Sequence, residues 1–187
     1  QSREGLFSEV EPLLGTFYTE LKTSIVDKIY PELLHPDFFR KHKDLRSPRG
    51  YLLYGPPGNG KTLLVQHIVQ EVNQNLQNKR PPVQYLQIGA SNLVSSLMGE
   101  VENRIKALFQ VTLALSPTIL FMDEIDSIFH QLNTRSSEIG SERRTRSELI
   151  NGLNQIFDTK KYPDSPVWMF GATNAPLSTL DTALTRP

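Results

Sequence analysis

The chain is 187 residues long, 38% hydrophobic, and carries 20 Lys and Arg against 20 Asp and Glu, with no cysteine. That size and apolar fraction can bury one core of ordinary domain size, so a single α/β domain is the default. Balanced charge leaves no overall field to draw nucleic acid or an anionic membrane, the absence of thiols excludes disulfides and thiolate metal sites, and no apolar run approaches the roughly 18 to 20 residues that span a bilayer.

Near the start, Leu13, Leu14, Phe17, Leu21, Ile25 and Ile29 recur at three- and four-residue steps. This spacing predicts a helix after Gly15, packed on a neighbouring sheet and ended by Pro31 and Pro36. The charged stretch 40–46 reads as a solvated linker, and Pro48, Arg49 and Gly50 turn the chain into an apolar strand at 51–54.

Next come Gly55, Pro56, Pro57, Gly58, Asn59, Gly60, Lys61 and Thr62, with the spacing G-x-x-x-x-G-K-[ST], followed by a helical run from Leu63 to Val69. Strand, loop and helix are in the order a phosphate cradle requires. The glycines allow backbone shapes barred to residues with a Cβ, so that N–H groups point inward at phosphate oxygens. A helix starting near Lys61 turns its positive end to the same place, the Lys61 ammonium reaches the outer phosphates, and the Thr62 hydroxyl suits Mg²⁺. The alternative is a Gly- and Pro-rich turn that fits by accident. With glycine at about 7% of residues, chance would produce the spacing in roughly one chain of this size per hundred or fewer.

Residues 73–82 are polar with two prolines and read as a loop before an alternating strand at 83–88. Ser91 and Asn92 read as caps of a short helix, interrupted at 98–100, and Ile105, Leu108, Phe109 and Thr112 fall in step on a helix at 101–115 that Pro117 stops. A third strand, 118–122, runs into Asp123, Glu124, Ile125 and Asp126. An apolar strand ending in Asp sets a carboxylate at the carboxyl edge of a sheet, where Mg²⁺ held by phosphates and Thr62 would sit. Glu124 then suits a base that polarises water for attack on a terminal phosphate. The plainer reading makes these acids first-turn residues facing a helix dipole, and Asp126 fits that role or a brace for a neighbouring loop.

Residues 132–141 read as a polar, mobile loop, and a helix follows from Glu142 to about Phe157. On it Arg143, Arg144 and Arg146 form a solvated face or, alternatively, a subunit contact or polymer site. After a loop at 162–166, a fourth strand at 167–170 delivers Gly171, Ala172, Thr173 and Asn174 to the same sheet edge. The Asn174 amide can bond both a phosphate oxygen and the attacking water; otherwise it is a turn or cap residue before Pro176. His35, His42, His67 and His130 lack metal-ligand spacing and read as structural or surface residues.

Residues 55–62, 119–126 and 171–176 together resemble, in order, the Walker A, Walker B and sensor-1 elements of the AAA family of ATPases, and the likeness runs from about Phe7 to Pro187. Within that family, 91–126 and the Gly-Asn-Gly of the loop are most similar to the meiotic group that includes spastin, katanin and fidgetin. The resemblance implies a P-loop NTPase fold, with a five-stranded parallel sheet between helices, spanning 1–187 as the large α/β subdomain without the helical lid that follows it. It further implies ATP with Mg²⁺ and a ring, usually a hexamer, in which a neighbour's arginine completes each site. Nucleotide contacts are then expected from Gly55 through Leu63 and from Asp123, metal contacts from Thr62 and Asp123, and catalysis from Lys61, Glu124 and Asn174.

Residues 180–184 resemble the start of the arginine-finger segment, and Arg186-Pro187 the pair that precedes the finger. The chain therefore reads as a piece of a longer protein. In the meiotic group a pore loop offers a basic residue and an aromatic to a polypeptide client, whereas Ser96-Leu97-Met98-Gly99 has neither and leaves Leu97, Met98 and Gly99 to grip by apolar contact. The expected function is ATP hydrolysis driving remodelling, severing or disassembly of a protein client inside the cell, in the cytoplasm, with no direct nucleic-acid partner. Two rivals differ in class: a nucleotide-gated assembly module with little turnover, and a phosphotransferase.

Overall fold

The structure is a computed structural model that describes residues 15–77, 79–94, 100–129, 139–158, 161–162 and 164–176. Helix α1 (Gly15–Leu34) and short α2 (Pro36–Lys41) precede β1 (Gly50–Tyr54) and α3 (Lys61–Leu76). Strand β2 (Gln84–Gly89) runs directly into α4 (Ala90–Val94), followed by α5 (Glu100–Ala114) and β3 (Thr118–Asp123). Then come α6 (Asp126–Phe129), α7 (Ile139–Phe157) and β4 (Val167–Thr173). Among the described residues the sheet has four strands, all parallel, in the order β1-β4-β3-β2. All four are those expected from the sequence; the resemblance implied five.

The two middle strands are buried on both faces, which is why β3 reads as an unbroken apolar run. Ile119 and Phe121, with Trp168, Phe170 and Ala172, face a core shared with α1 and α3. Leu120 and Met122, with Val167 and Met169, face the opposite core, shared with α4, α5 and α7. The result is three layers with the strand ends left open.

Several expectations shift. Pro31 lies inside α1 rather than ending it. The carbonyl of Pro31 still accepts from His35 N–H at 2.9 Å, and the helix stops at Leu34, ahead of Pro36, the residue type whose ring disfavours helix just before it. Phe17 is 78% exposed and Tyr18 takes the buried position. The charged stretch is ordered as the end of α2 and a 3₁₀ turn at Lys43–Leu45, with Arg40 paired to Asp164 and Arg46 donating to the Phe39 carbonyl. Helix α3 continues to Leu76, into the first residues of the polar region 73–82 expected as loop, because Val72 and Leu76 bury one face of it; the described rest of that region is loop as expected. There Asn73 clamps Val83, accepting its N–H at 2.7 Å and donating to its carbonyl at 3.1 Å. Helix α7 begins at Ile139, ahead of Glu142, and β4 extends to Thr173. Leu13, Leu14, His130, residues 132–138 and the chain end at 177–187 lie outside the described residues. Arg144 is exposed, which suits a solvated face and a subunit contact alike.

A buried polar knot fastens the end of α1 to the sheet. Glu32 accepts from the Ser47 hydroxyl at 2.7 Å and pairs with Arg49, while Trp168 Nε1 donates to the Ser47 hydroxyl at 2.8 Å. The Arg49 guanidinium also lies 4.6 Å from the centre of the Trp168 ring. Burial pulls the Arg49 pKa down, and Glu32 opposes that pull.

On the other face, α5 and α7 meet at Gly152, where a Cβ would fall 1.9 Å from a Phe109 ring carbon. Phe109 is 1% exposed and has nowhere to retreat. Gly152→Ala is therefore expected to destabilise the fold by about 1–3 kcal/mol through overpacking, despite a helix-propensity gain of up to ~1 kcal/mol. Urea unfolding of the two proteins checks this, and a more stable variant would contradict the close approach.

Candidate active site

All four strands point their carboxyl ends the same way, so the segments leaving them are gathered at one edge. Tyr54 pairs with Thr173, Met122 with Gly171, and Gly89 with Asp123. The loop after β1 turns through Gly58 (φ 82°) and Gly60 (φ 74°), left-handed conformations that side chains with a Cβ disfavour. Gly60 is the N-cap of α3, and the first bond inside the helix is Leu64 N–H to the Gly60 carbonyl at 2.8 Å. The N–H groups of Lys61, Thr62 and Leu63 therefore stand at the open, positive end of a 16-residue helix.

Lys61 Nζ donates to the carbonyls of Gly55 at 2.8 Å and Pro56 at 3.0 Å, and to Asn174 Oδ1 at 2.7 Å. All three of its donors are engaged, and the last of these bonds joins residues 113 positions apart in sequence. The Thr62 hydroxyl faces Asp123 Oδ2 at 3.4 Å, and Asp123 Oδ1 accepts the N–H of Glu124 at 2.9 Å. Glu124 has φ 54°, a left-handed conformation that costs a residue with a Cβ about 1–2 kcal/mol. Its neighbours enforce it: Ile125 N–H bonds the Ala172 carbonyl at 3.0 Å, and Ser127 N–H bonds the Glu124 carbonyl at 2.9 Å. The carboxylate of Glu124 is exposed and accepts from the Ser91 hydroxyl at 3.3 Å.

Lys61, Thr62, Asp123, Glu124 and Asn174 are thus brought together as the sequence reading expected. Leu97, Met98 and Gly99 lie outside the described residues. Ser91 is not a cap: it is the second residue of α4, with its hydroxyl on Glu124. Asp126 takes the brace role, accepting from the Thr173 hydroxyl at 2.7 Å, which in turn accepts Ala175 N–H at 3.0 Å and so fixes the turn that presents Asn174. Thr173 was missed, although its place beside Asn174 was a signal.

Beside the loop a groove of about 970 Å³ opens against α1, lined among others by Phe17, Tyr18, Leu21, Tyr54, Asn59 and Lys61. Of its aromatic lining Tyr18 is buried, Tyr51 half-buried, and Phe17 and Tyr54 exposed. Burial pushes the Tyr51 phenol up to about 12, and its ring stacks on Phe170 at 4.7 Å. Away from this groove, on the strand beside Asp123, burial pushes the Tyr85 phenol up to about 12, against a lowering hydrogen bond from Gln66.

Residues 51–186 match the family model described as "ATPase family associated with various cellular activities (AAA)". The chain belongs to the AAA family. It is 34% identical over 166 residues to a probable spastin homolog of Brugia malayi, a match covering 88% of this chain and 33% of that protein. It is 37% identical over 154 residues to spastin of Sus scrofa, covering 82% and 22% respectively. Among solved structures it is similar to the FIGL-1 AAA domain in complex with ADP, with a TM-score of 0.66 and 30% identity, covering 88% of this chain and 48% of that one. The chain therefore spans a third or less of the two spastin-type relatives. The parallel sheet with its phosphate loop is the P-loop NTPase fold of an AAA domain. Among the described residues no helix is long and apolar enough to cross a membrane.

The groove wall depends on contacts between α1 and α3. Tyr18 OH and His67 Nδ1 hydrogen-bond at 2.9 Å, and buried Lys22 pairs with Glu71 at 2.7 Å. Burial, then the Lys22 charge, lower the His67 pKa, with Glu71 opposing. A histidine held below its unfolded value of about 6.5 binds fewer protons folded than unfolded, so stability falls as pH drops from that value through the lowered one. Wild type is expected to melt above His67→Gln at pH 7.5, with the gap narrowing at pH 5.5. A gap independent of pH, measured by thermal melting, would contradict a neutral His67.

Proposed function

We propose that this chain is the large α/β subdomain of a Mg²⁺-dependent ATPase, and that its nucleotide cycle drives remodelling of a protein client by a ring of identical chains. The observation carrying this reading is the convergence of Lys61, Thr62, Asp123, Glu124 and Asn174 from three strand ends on the open end of α3. The donor set fits the metal, because the Thr62 hydroxyl and Asp123 carboxylate are hard oxygen donors facing each other at 3.4 Å. When bound, the ion would neutralise charge on the phosphate oxygens.

The chain's own groups perform the remaining work. Loop N–H groups from Gly55 to Leu63 bind the phosphates, and Lys61 exchanges its carbonyl partners for phosphate oxygens. Glu124 takes a proton from water as the water oxygen bonds to the terminal phosphorus. The bond from that phosphorus to the bridging oxygen breaks, and its electron pair leaves with ADP. Asn174, tied to Lys61, reads the terminal phosphate and steadies the water. The groove against α1 accommodates the base. Assembly into a hexamer, a polypeptide client met through Leu97, Met98 and Gly99, and a cytoplasmic setting complete the proposal. The spastin-type relatives favour severing or disassembly of a protein assembly as the outcome.

Steady-state phosphate release by the full-length protein tests this. The rate per subunit is expected to rise with concentration, since a missing trans arginine costs on the order of a thousandfold. Glu124→Gln is expected to lower it at least about a hundredfold while ATP still binds. A flat, near-zero wild-type rate with tight ATP binding would favour the nucleotide-gated module instead. Phosphate release only in the presence of an acceptor would favour a phosphotransferase.

A further inference from the structure

We propose that His67 is a positioning residue for the groove wall: through Tyr18 it holds α1 against α3, so that a proton on its ring and a nucleotide base in the groove oppose each other. The inference rests on the groove taking the base, as in the proposed function.

The seam between the two helices carries it. Tyr18 OH meets His67 Nδ1 at 2.9 Å, and one turn further along both helices Lys22 meets Glu71 at 2.7 Å, so the two contacts lie side by side. The Tyr18 and His67 rings stand edge to face with their centres 5.8 Å apart. Tyr18 is 7% exposed and His67 4%, which leaves water little access to either. His67 also lies less than two turns along α3 from Lys61.

Tyr18 faces the groove as well as the seam. It lines the groove beside Phe17 and Leu21 of α1, with Asn59 from the loop and Lys61 and Leu64 from α3. A base lying there would touch both helices and draw them together. The wall is therefore only as well placed as α1 is docked.

A second proton on His67 works against that docking. A neutral ring can accept the Tyr18 hydroxyl at Nδ1, whereas a charged ring carries hydrogen on both nitrogens and the hydroxyl must turn to accept. The phenol does not ionise to meet the charge, because burial pushes its own pKa up. The charges that bear on the ring are Lys22 of α1, which repels the proton, and Glu71 of α3, which favours it but is already paired with Lys22. The strands beneath bring the phenols of Tyr51 and Tyr85 to this core, both kept protonated by burial. A charged ring thus needs water, and water reaches it when α1 moves off α3. By reciprocity, a base that favours the docked helix lowers the affinity of His67 for its proton by the factor that the proton lowers the affinity for the base.

The experiment is calorimetric titration of the full-length protein with ADP and, separately, with pyrophosphate at pH 7.5 and pH 5.5. Wild type, His67→Gln and Tyr18→Phe are compared, with circular dichroism confirming the fold at both values. Because the ligands titrate too, the quantity read is the loss of affinity between the two pH values in wild type relative to the same loss in His67→Gln. For ADP it is expected to be about threefold greater in wild type, within the roughly tenfold that one group of pKa about 6.5 can supply at pH 5.5. For pyrophosphate, which fills the loop and carries no base, the two losses are expected to agree. Tyr18→Phe is expected to bind ADP more weakly at pH 7.5 and to lose most of the excess pH dependence. The His67 ring signal in proton NMR, assigned by its loss in His67→Gln at pH 7.5, is expected to titrate at lower pH once ADP is bound.

Equal losses for ADP in wild type and His67→Gln, or a His67 titration that ADP leaves in place, would overturn the proposal. So would an excess that pyrophosphate shares, which would put the coupling in the loop, or a full wild-type dependence in Tyr18→Phe, which would bypass the wall. Failure of ADP and pyrophosphate alike to bind at pH 7.5 would instead remove the proposed function, and this inference with it.

Discussion

Strand β4 lies between β1 and β3, and its parallel register with both sets Tyr54 opposite Thr173 and Met122 opposite Gly171. Everything at the site depends on that alignment. Three strand ends reach the same level, so the segments leaving them, the phosphate loop, the Asp123-Glu124 pair and Asn174, meet without any long connection reaching back. A slip of one residue in either pairing would exchange the strand's two buried faces, and Trp168 and Phe170 would leave the core they share with α1 and α3. Register is therefore fixed by the two cores, and the site inherits its geometry from their packing.

Within that frame the polar groups satisfy one another. Lys61 is held by two carbonyls and by Asn174, Thr62 by Asp123, Asp123 by the N–H of Glu124, and Thr173 by Asp126. In the proposed role, binding phosphate would amount to exchange. The ammonium trades carbonyl oxygens for charged ones, and charge-assisted bonds are roughly twice as strong as neutral ones. Preorganised donors of this kind need little rearrangement when charge develops, the condition under which electrostatic stabilisation is most effective.

Much of this was legible because it is local. The loop spacing, the apolar strand ending at Asp123 and the amide after β4 are each contained in fewer than ten consecutive residues, and short-range chemistry dictates them. The features that escaped the sequence reading depend on contacts made across the fold. Phe17 and Tyr18 are both aromatic, Phe17 the more apolar, and only the direction of α1 against α3 decides that Tyr18 is buried while Phe17 is 78% exposed. The polar end of α3 read as loop because Asn and Gln dominate it, yet Val72 and Leu76 fasten one face and Asn73 serves Val83. Ser91 read as a cap because serine at a helix start commonly caps. Its use toward Glu124 could not be seen before β2 was paired with β3. Pro31 is tolerated inside α1 because buried Ile29, Glu32 and Leu33 on either side anchor that turn.

The same division between local and long-range contacts bears on how the site can change state. Glu124 sits in a strained backbone conformation that the ends of two strands over-determine, so its Cα is fixed wherever the sheet is fixed. Freedom remains beyond its Cβ, where the Ser91 hydroxyl of α4 meets the carboxylate at 3.3 Å. Asn174 shows the opposite arrangement: its turn is braced through Thr173 and Asp126, and its side chain answers to Lys61. Whatever displaces Lys61 toward phosphate thus releases Asn174, while whatever moves α4 releases Glu124. The Asn174 amide and the Glu124 carboxylate are thus held by separate contacts on one edge of the sheet. They can be changed independently without disturbing the sheet that carries both.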